Sequence, residues 1–279
     1  MRNRSPFLAI IMMSMLAVAS CGGNNVKGDG PPAGSARIPD LPGDAVPRPE
    51  ARSKYGNGPV YEVLGKRYTV MPSSSGYQER GVASWYGKKF HGNLTSNREV
   101  YDMYAMTAAH KTLPLPTYVR VRNLSNNRSI VVRVNDRGPF VHNRIIDLSY
   151  AAAIKLDMIK DGTSLVEVTA ITFDQPQGDR PVRVSSPPGP TNTGENRPSA
   201  SANRIFVQVG AFGERSNAER RLRDLARGGI GNAFIHEERS AGQVLYRVRI
   251  GPIADVVQYD LVVDELEAMG INDPYLISE

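Results

Sequence analysis

Four side chains that can transfer protons stand in two neighbouring stretches of the sequence. Glu99, Asp102 and His110 lie close together, and Asp136 follows in the next stretch. Asp136 comes directly after an apolar run that predicts a β-strand and before Gly138-Pro139, so a turn can present its carboxyl group to a groove. A carboxyl group held in this way can act first as a general acid and then as a general base. An aspartate before Arg-Gly is also a common turn residue, and the residues alone leave both interpretations open.

Other kinds of chemistry find little support in the composition. The chain of 279 residues has one cysteine and four widely spaced histidines, so the sequence lacks both a multi-cysteine zinc motif and a His-ligand spacing. We therefore expect no metal and no cofactor. Hydrophobic residues make up 41% and charged residues 22% of the chain, which excludes a wholly disordered protein. The net charge of +6 is spread thinly, without the Lys/Arg-rich block that is typical of nucleic-acid binding.

The start of the chain predicts a secretory signal peptide over residues 1–20. Arg2 and Arg4 form a positively charged beginning, and residues 7–19 form an apolar run that ends in small side chains. A buried helix is the alternative, but it fits poorly beside two arginines. No apolar run in the sequence reaches the length of a membrane-spanning helix.

Residues 18–21 (VASC) resemble the lipobox of bacterial lipoproteins. This resemblance implies that Cys21 is acylated and becomes the mature N-terminus, which anchors the protein to a membrane. Gly22 replaces the aspartate that commonly retains such lipoproteins at the inner membrane. We therefore expect a periplasmic protein anchored to the outer membrane. The Gly/Pro-rich stretch 21–54 predicts a flexible tether.

Residues 55–173 predict a compact β-barrel with a little helix. Asn126-Asn127 predicts a hairpin turn, because asparagine tolerates positive φ. One helix is expected from Ser149, its N-cap, to about Leu156. A Pro- and Ser-rich linker, 174–203, lacks apolar periodicity and is expected to be disordered. The predicted strands are rich in β-branched or aromatic residues and include 82–86, 118–121, 130–134 and 165–171.

The tail, 204–279, predicts the order β-α-β-β-α-β, a ferredoxin-like arrangement with two helices on one face of a sheet. Ser216 and Glu219 fit a capping box at the start of the first helix. The second helix is expected to start near Asp255 and to stop at Gly270. Strand alternation places five side chains on the uncovered face, which is either a floor for sugar rings or an ordinary solvated surface. These five candidates for glycan binding are Phe206, Gln208, Gly210, Arg247 and Arg249.

Four blocks of the barrel segment are highly specific when taken together: Trp85-Tyr86-Gly87, Thr107–His110, Asn135–Phe140 and Ile146–Ser149. In their order and residue identities, these blocks resemble the rare lipoprotein A (RlpA) family, whose members are periplasmic lytic transglycosylases with a double-psi β-barrel. The match runs from about Tyr55 to Met158. The tail resembles the SPOR family of glycan-binding modules through 207–212 and 246–252. The fold class is then mainly β plus α+β, with a double-psi β-barrel domain followed by a ferredoxin-like βαββαβ SPOR domain.

The resemblance assigns roles to the proton-transferring residues of the barrel. It implies that Asp136 is the catalytic aspartate. It also implies that Glu99 and Asp102 raise the pKa of this acid or stabilise positive charge, and that His110 orients a carboxylate through a hydrogen bond. The family usually has glycine where this chain has Arg98, so the arginine either disturbs a backbone of positive φ or supplies a contact to glycan.

Several nearby positions keep two interpretations. Arg137 pairs either with a carboxylate or with substrate. Trp85 and Tyr86 either line a sugar subsite by ring stacking or pack in the core. Asp147 fits a structural, hydrogen-bonding carboxylate better than a catalytic one.

The function that the resemblance implies is non-hydrolytic cleavage of peptidoglycan strands at the division septum, with the tail bound to denuded glycan. Peptidoglycan is then the main partner, and cell-division proteins are further candidates. One alternative is a non-catalytic scaffold that binds peptidoglycan through the same surfaces. Another is a hydrolase, which needs a positioned water and a second carboxylate. RNA binding shares the topology of the tail, but the tail lacks the aromatic motifs and has nine basic against twelve acidic residues.

Overall fold

The computed structural model describes residues 29–32, 40–173, 204–240, 243–272 and 274–279. The predicted signal peptide, the predicted acylation site Cys21 and the predicted linker 174–203 lie outside these residues. The described part forms a barrel domain and a tail domain. Within it, no helix is both long and apolar enough to cross a membrane.

A hairpin and a closed six-stranded barrel make up the first domain. The strands are β1 Val60–Val63, β2 Lys66–Thr69, β3 Gln78–Tyr86, β4 Thr107–His110, β5 Thr117–Asn123, β6 Ser129–Asp136, β7 Arg144–Ser149 and β8 Ser164–Ile171. β1 pairs with β2, and the barrel closes in the order β3-β7-β4-β6-β5-β8. The predicted barrel is confirmed. β1, β2, β4 and β7 have only four to six residues each and were not among the predicted strands.

Two parallel strand pairs give the barrel its double-psi character. β3 runs parallel to β7 and β4 runs parallel to β6, whereas the other neighbours are antiparallel. Parallel neighbours require the chain to cross over between them, and the crossovers bring distant segments to the end of β6. Ala109 on β4 is the register partner of Asp136 on β6 and of Asp147 on β7. Aliphatic side chains such as Val119 and Val132 are fully buried and fill the interior.

The short helix of the barrel, α1 (Tyr150–Lys155), forms where the sequence predicts it. Ser149 is the N-cap, and its Oγ accepts a hydrogen bond from Ala152 N at 3.3 Å. This bond satisfies one of the backbone N–H groups that a helix start leaves without a partner. Asn127 adopts φ 59° in the predicted hairpin turn between β5 and β6, and Asp157 adopts φ 58° just after α1.

The tail domain also has the predicted order of elements. They are β9 Ile205–Phe212, α2 Arg215–Arg227, β10 Ala233–Ser240, β11 Gln243–Ile253, α3 Val256–Ala268 and β12 Tyr275–Ser278. The strands pair in the order β10-β11-β9-β12, which confirms the ferredoxin-like fold. Buried Val207, Val248 and Ile250 pack with apolar residues of the two helices. Asp255 caps α3 as predicted, accepting a hydrogen bond from Gln258 N at 2.8 Å.

The predicted capping box in the tail is wrong. α2 begins at Arg215, with Glu214 as an N-cap that makes no side-chain capping bond. Ser216 and Glu219 therefore lie inside the helix. The Glu219 carboxylate accepts a hydrogen bond from Arg215 Nε at 3.1 Å, one turn away. Ser216 and Glu219 have the spacing of a capping box, but they do not form its hydrogen bonds. Glu219 forms a surface ion pair with Arg215 instead.

Part of the predicted tether lies against the barrel, so the boundary placed at residue 54 is wrong. Ala45 N donates to Val131 O at 3.0 Å, an edge contact with β6. The Glu50 carboxylate accepts hydrogen bonds from the Arg133 guanidinium at 3.0 and 2.8 Å. These contacts rest on single polar groups, which leave no hydrophobic pattern in the sequence. Residues 44–57 are called the docked arm below.

The two domains contact each other through apolar and polar side chains. Val82, Leu124 and Leu165 of the barrel belong to the same buried apolar cluster as the core of the tail domain. Arg144 on β7 donates to both carboxylate oxygens of Asp260 on α3, each at 3.1 Å. His142 Nε2 lies 3.3 Å from Glu267 Oε1 on the same helix. Nothing in the sequence pattern pairs these residues, because they come from domains separated by the linker.

Candidate active site

An open groove of about 510 Å³ lies at the carboxyl end of β6. Its walls come from segments that are distant in the sequence: the docked arm, the β1–β2 hairpin and the loop 94–98. Asp136 and Arg137 line it together with aromatic and aliphatic side chains. A groove with few charged groups and an apolar wall is suited to a sugar chain, which has both hydroxyls and apolar ring faces.

Asp136 is held in the groove by hydrogen bonds to one of its two oxygens. Oδ1 accepts from Ser96 N at 2.8 Å, from Ser96 Oγ at 2.6 Å and from Arg137 N at 2.7 Å. No hydrogen bond from the described residues reaches Oδ2. The three donors fix the orientation of the carboxyl group and leave Oδ2 available to exchange a proton with a bound ligand.

Arg137 ties the walls of the groove together. Its guanidinium donates to Gly56 O at 2.9 Å, Leu113 O at 2.6 Å and His110 O at 3.1 Å, and to Asn57 Oδ1 at 3.2 Å. All four acceptors are carbonyl oxygens, and no carboxylate among the described residues pairs with it. Burial lowers the pKa of Arg137 to about 10. Of the two partners left open by the sequence, a carboxylate is not observed, because Arg137 bonds to carbonyl oxygens instead. The nearby charge of Asp136 acts on Arg137 without a direct hydrogen bond between the two side chains.

Glu99 lies next to the groove and forms a bidentate ion pair. Its carboxylate accepts hydrogen bonds from Arg133 Nη1 at 2.9 and 2.7 Å, from Asn135 at 2.8 Å and from Asn97 at 2.9 Å. Burial raises the pKa of Glu99, but the hydrogen bonds from Arg133 and Asn135 outweigh it and hold this pKa below its usual range. Glu99 is therefore an ionised group that anchors the loop 94–98 beside Asp136.

Arg98 lies on the rim of the same groove with a backbone that favours glycine. Its φ is 71°, and its guanidinium carbon lies 5.5 Å from the centroid of the Tyr55 ring. The loop thus has a positive φ that glycine adopts freely, and a side chain adopts it at a cost of about 1 kcal/mol. The placement of Glu99 is not disturbed, because Arg98 N still donates to Thr95 O at 2.9 Å.

Among the described residues, no hydrogen bond or ion pair joins the Asp102 carboxylate to Asp136. It is half-exposed, its Oδ1 accepts from Tyr104 N at 2.9 Å, and His91 Nδ1 lies 3.7 Å from the same oxygen. It is also absent from the lining of the groove. The role that the resemblance implies for Asp102 therefore stays a prediction without a geometric support in the described residues.

His110 is buried and bonded away from the acidic residues of the groove. Its Nδ1 accepts from Thr112 N at 3.2 Å and Leu113 N at 3.0 Å. Its Nε2 lies 2.7 Å from Tyr77 Oη, which in turn donates to Glu79 Oε2 at 2.5 Å. This network fixes a neutral ring with the proton on Nε2, and burial lowers the pKa of His110 to about 3. The expected hydrogen bond to a carboxylate is therefore indirect, through Tyr77, and reaches Glu79.

Three neighbouring residues, each with two interpretations from the sequence, contact other residues of the barrel: Asp147, Tyr86 and Trp85. Asp147 accepts a hydrogen bond from Ser84 on the adjacent strand, and burial raises the pKa of Asp147. Tyr86 is buried and stacks on Tyr101 with ring centroids 4.1 Å apart. Trp85 is half-buried and lies 5.5 Å from the Tyr150 ring. The described residues contain no group of three or more His, Cys, Asp or Glu side chains that could hold a metal ion.

The uncovered face of the tail sheet carries a row of four cross-strand partners. Phe234, Arg249, Gln208 and Tyr275 lie side by side across β10, β11, β9 and β12. Tyr275 is 57% exposed, and Gln208 is half-buried. A ring and an amide in register form a surface on which a sugar can stack and form hydrogen bonds.

The strand register places four of the five tail candidates on the uncovered face, and two of these four are not open to solvent. The prediction is wrong for Gly210, which is the partner of Val248 on the helix-covered face, because a β-bulge between Val248 and Arg249 shifts the register. Phe206 is 4% exposed and packs edge-on against Phe234, at 5.5 Å between centroids. Arg249 is 6% exposed and pairs with the carboxylate of Glu279. Alternation specifies a face, and it cannot specify what covers that face.

Two more of the five tail candidates, Arg247 and Gly210, are also engaged. Arg247 donates to the carboxylate of Glu238 on the neighbouring strand. A Cβ on Gly210 would lie 2.7 Å from the ring of Phe212, so glycine is needed there for packing. The glycan-binding roles of all five residues stay predictions.

Sequence reasoning missed several residues that shape these sites. Ser96, which holds Asp136, lies 40 residues before it in the chain, and only the barrel register brings the two together. Tyr61 and Phe140 line the groove, with ring centroids 6.3 Å apart. Tyr275 was assigned only to a closing strand. An alternation count extended to β12 would have placed it on the uncovered face.

Family models match both domains. The model described as lytic transglycolase matches residues 78–168, and the SPOR domain model matches residues 201–278. The fold and these matches define the class: the chain is an enzyme, a peptidoglycan lytic transglycosylase with a double-psi β-barrel and a SPOR domain.

Curated relatives give the particular family. The chain is 37% identical over 289 residues to an endolytic peptidoglycan transglycosylase RlpA of Pseudomonas aeruginosa, covering 89% of this chain and 84% of the relative. It is 48% identical over 185 residues to the protein of that name in Vibrio cholerae, covering 64% of this chain and 68% of the relative. The chain belongs to the RlpA family. Among solved structures, the RlpA SPOR domain of Pseudomonas aeruginosa is 29% identical, with a TM-score of 0.25, and the match covers 26% of this chain and 96% of that one.

Proposed function

We propose that the barrel cleaves peptidoglycan strands that lack stem peptides, and that it forms 1,6-anhydromuramic ends with Asp136 as the proton-transferring residue. The observation that carries this proposal is the groove at the end of β6, in which Asp136 has one oxygen bound by three donors and the other without a donor among the described residues. An orientation fixed on one side and open on the other is what acid–base catalysis on a bound sugar chain requires.

In the first half of the reaction, the protonated Asp136 carboxyl group donates its proton to the glycosidic oxygen. The bond between this oxygen and the anomeric carbon of muramic acid breaks, and positive charge develops on the sugar ring. The carboxylate left on Asp136 is then a negative group close to the developing oxocarbenium ion. The ionised Glu99 stays paired with Arg133 and serves to position the loop that carries Ser96.

In the second half, the 6-hydroxyl of the same muramic acid attacks the anomeric carbon. Asp136 takes the proton of this hydroxyl as the new bond forms, which restores its starting state. No water is consumed, and the proton given to the leaving group is replaced by the proton of the nucleophile. A single carboxyl group is therefore sufficient, whereas an inverting hydrolase needs a second one to activate water.

The ends of the chain give the enzyme its location in this proposal. Acylation of Cys21 anchors it to the outer membrane on the periplasmic side, and the SPOR domain binds denuded glycan that accumulates at the division septum. The exposed Tyr275 beside Gln208 supports glycan contact on the uncovered face of the tail sheet. Cell-division proteins are candidates for additional partners.

The experiment is product analysis by mass spectrometry after incubation of protein lacking residues 1–21 with intact and with amidase-stripped peptidoglycan. We expect anhydromuramic products from stripped strands and few from intact ones. Asp136→Asn is expected to lower turnover by about a thousandfold or more, while the amide oxygen still accepts from Ser96 and keeps the loop in place.

Two other results would contradict the proposal. New reducing ends without anhydro products would mean a hydrolase. No product, together with retention of stripped glycan by the protein, would mean a non-catalytic binding protein. A thermal melt of Asp136→Asn that matches the unchanged protein serves as the folding control.

A further inference from the structure

The Arg98 guanidinium is exposed at the rim of the groove and has no carboxylate partner among the described residues. It lies instead over the ring of Tyr55 in the docked arm, 5.5 Å from the ring centroid. Stacking on an aromatic ring orients a guanidinium while leaving its N–H groups free to donate. Arg98 is therefore positioned for an anionic ligand in the groove.

The backbone at this position supports a functional role. Arg98 has φ 71°, a conformation that an arginine adopts at a cost and a glycine adopts freely. Strain kept at a groove is an observation from which a functional hypothesis can be drawn. Here the strained residue places a cation in the lining of the groove that Asp136 also lines.

The groove as a whole has an excess of positive charge. Arg98 and Arg137 both line it, and the four acceptors of Arg137 are carbonyl oxygens. Asp136 is the one carboxylate in the lining described for it. Arg137 is explained by these hydrogen bonds, but a neutral sugar chain gives no reason for the exposed guanidinium of Arg98, whereas a sugar chain that carries carboxylates does.

Muramic acid carries such a group on its lactyl side chain. In a strand without stem peptides this lactyl group ends in a free carboxylate. In a strand with stem peptides the same carbon is part of a neutral amide. A guanidinium beside the scissile bond can separate the two strands, because it forms a strong charge-assisted hydrogen bond only with the carboxylate.

We propose that Arg98 is a specificity-determining residue that binds the free lactyl carboxylate of muramic acid and so selects strands without stem peptides. This inference rests on the proposed cleavage of glycan strands and adds the group that the enzyme recognises. It also gives a reason for arginine in a loop where glycine would fit without strain.

The test compares two substrates that differ only in this group. Naked strands are used as such, or after carbodiimide coupling of their lactyl carboxylates to methylamine, which removes the charge. We expect the unchanged protein to have a kcat/KM about tenfold higher on the charged strands. Arg98→Gln should remove this difference by lowering turnover of the charged strands alone, and Arg98→Lys should retain part of it.

Arg98→Gly separates recognition from backbone effects. Glycine relieves the positive φ, so we expect an unchanged or higher melting temperature together with loss of the selectivity. Asp157→Gly is the matched control, since Asp157 has φ 58° at a position after α1 and outside the groove. It should change the melting temperature in the same direction and leave the selectivity intact.

Equal losses on both substrates, or no loss with Arg98→Gln, would overturn the role of Arg98 while leaving the cleavage reaction standing. Absence of product from the unchanged protein on either substrate would instead refute the proposed function. In that case the affinities of the unchanged protein and of Arg98→Gln for the two kinds of strand decide about Arg98 alone. A preference for charged strands that disappears in the variant supports it, and identical affinities refute it.

Discussion

The arginines in the groove of the barrel and those on the uncovered face of the tail differ in their partners. In the groove, Arg98 stacks on a ring and Arg137 donates to carbonyl oxygens, so neither guanidinium is paired with a carboxylate among the described residues. On the tail face, Arg247 is bonded to Glu238 and Arg249 to Glu279, so each charge is neutralised within the domain.

This difference separates two modes of glycan recognition on one chain. An available guanidinium attracts carboxylates on the ligand, and that attraction weakens with salt. A neutralised face has to rely on ring stacking and on hydrogen bonds to hydroxyls, which salt affects little. We therefore expect the barrel to distinguish strands by their charge and the tail to bind them by their shape.

The largest change expected in this comparison comes from Arg137→Lys. A lysine cannot reproduce the four hydrogen bonds that join the docked arm to the strand ends. We expect a loss of about 3 kcal/mol in unfolding free energy and about a hundredfold lower turnover, because the walls around Asp136 shift. Denaturant unfolding and product analysis measure the two effects. Arg128→Lys, which alters an exposed ion pair with Asp157, is the control and should cost less than about 1 kcal/mol.

An intermediate effect is expected at the docked arm, which forms one wall of the groove. The hydrogen bond from Arg133 holds the pKa of Glu50 down to about 2. A lowered carboxyl pKa contributes stability that is fully present above pH 4.5 and is lost as the pH falls toward 2. Glu50→Gln should therefore cost about 2 kcal/mol at neutral pH, and the difference should vanish near pH 2. Trp85, the one tryptophan of the chain, reports barrel unfolding by its fluorescence.

His110 contributes to the same acid transition in the unchanged protein. Burial lowers its pKa from 6.5 to about 3, so the unfolded chain binds a proton that the folded one does not. Stability is then lost as the pH falls from 6.5 toward 3.

Glu62→Gln, at an exposed position on β1, is the control for Glu50→Gln. A pH-independent effect of Glu50→Gln would show that its ion pair does not stabilise the arm.

The smallest effect, a change of about two- to threefold in the binding of naked glycan, is expected from Glu238→Gln. This change releases Arg247 and makes the tail face resemble the barrel groove in charge. Binding of naked glycan should strengthen at low salt and become more sensitive to added salt. Retention on naked strands over a salt series measures it. Glu237→Gln, which alters an ion pair with Arg239 on the same strand, should change nothing.

The sequence predicts the elements better than the contacts between them. Asp136 at a strand end, the Ser149 cap and the order of the tail strands follow from local patterns, and the structure confirms each. The capping box failed because its spacing also fits the interior of a helix. The covering of Phe206 depends on Phe234, which lies on another strand and two elements later.

The composition of the candidate site was partly predictable for the same reason. Glu99 and Asp136 are identified from motifs, but their relation depends on Ser96 and Arg133, which the barrel register brings in from other segments. The docked arm was misjudged because Glu50 acts through one ion pair. A single polar contact leaves no periodic pattern in a sequence.

Contacts of Asp29 with the barrel limit how far the enzyme can work from its membrane. Asp29 accepts hydrogen bonds from Gly87 N at 2.9 Å and from Lys89 N at 3.1 Å. A lipid on Cys21, as proposed, is then separated from the barrel by a chain that can extend to about 28 Å at most. Movement along the membrane plane remains free, whereas the distance from the membrane is limited. The groove can therefore cut only those layers of the wall that lie within this distance, and lengthening the segment before Asp29 would extend the cutting depth.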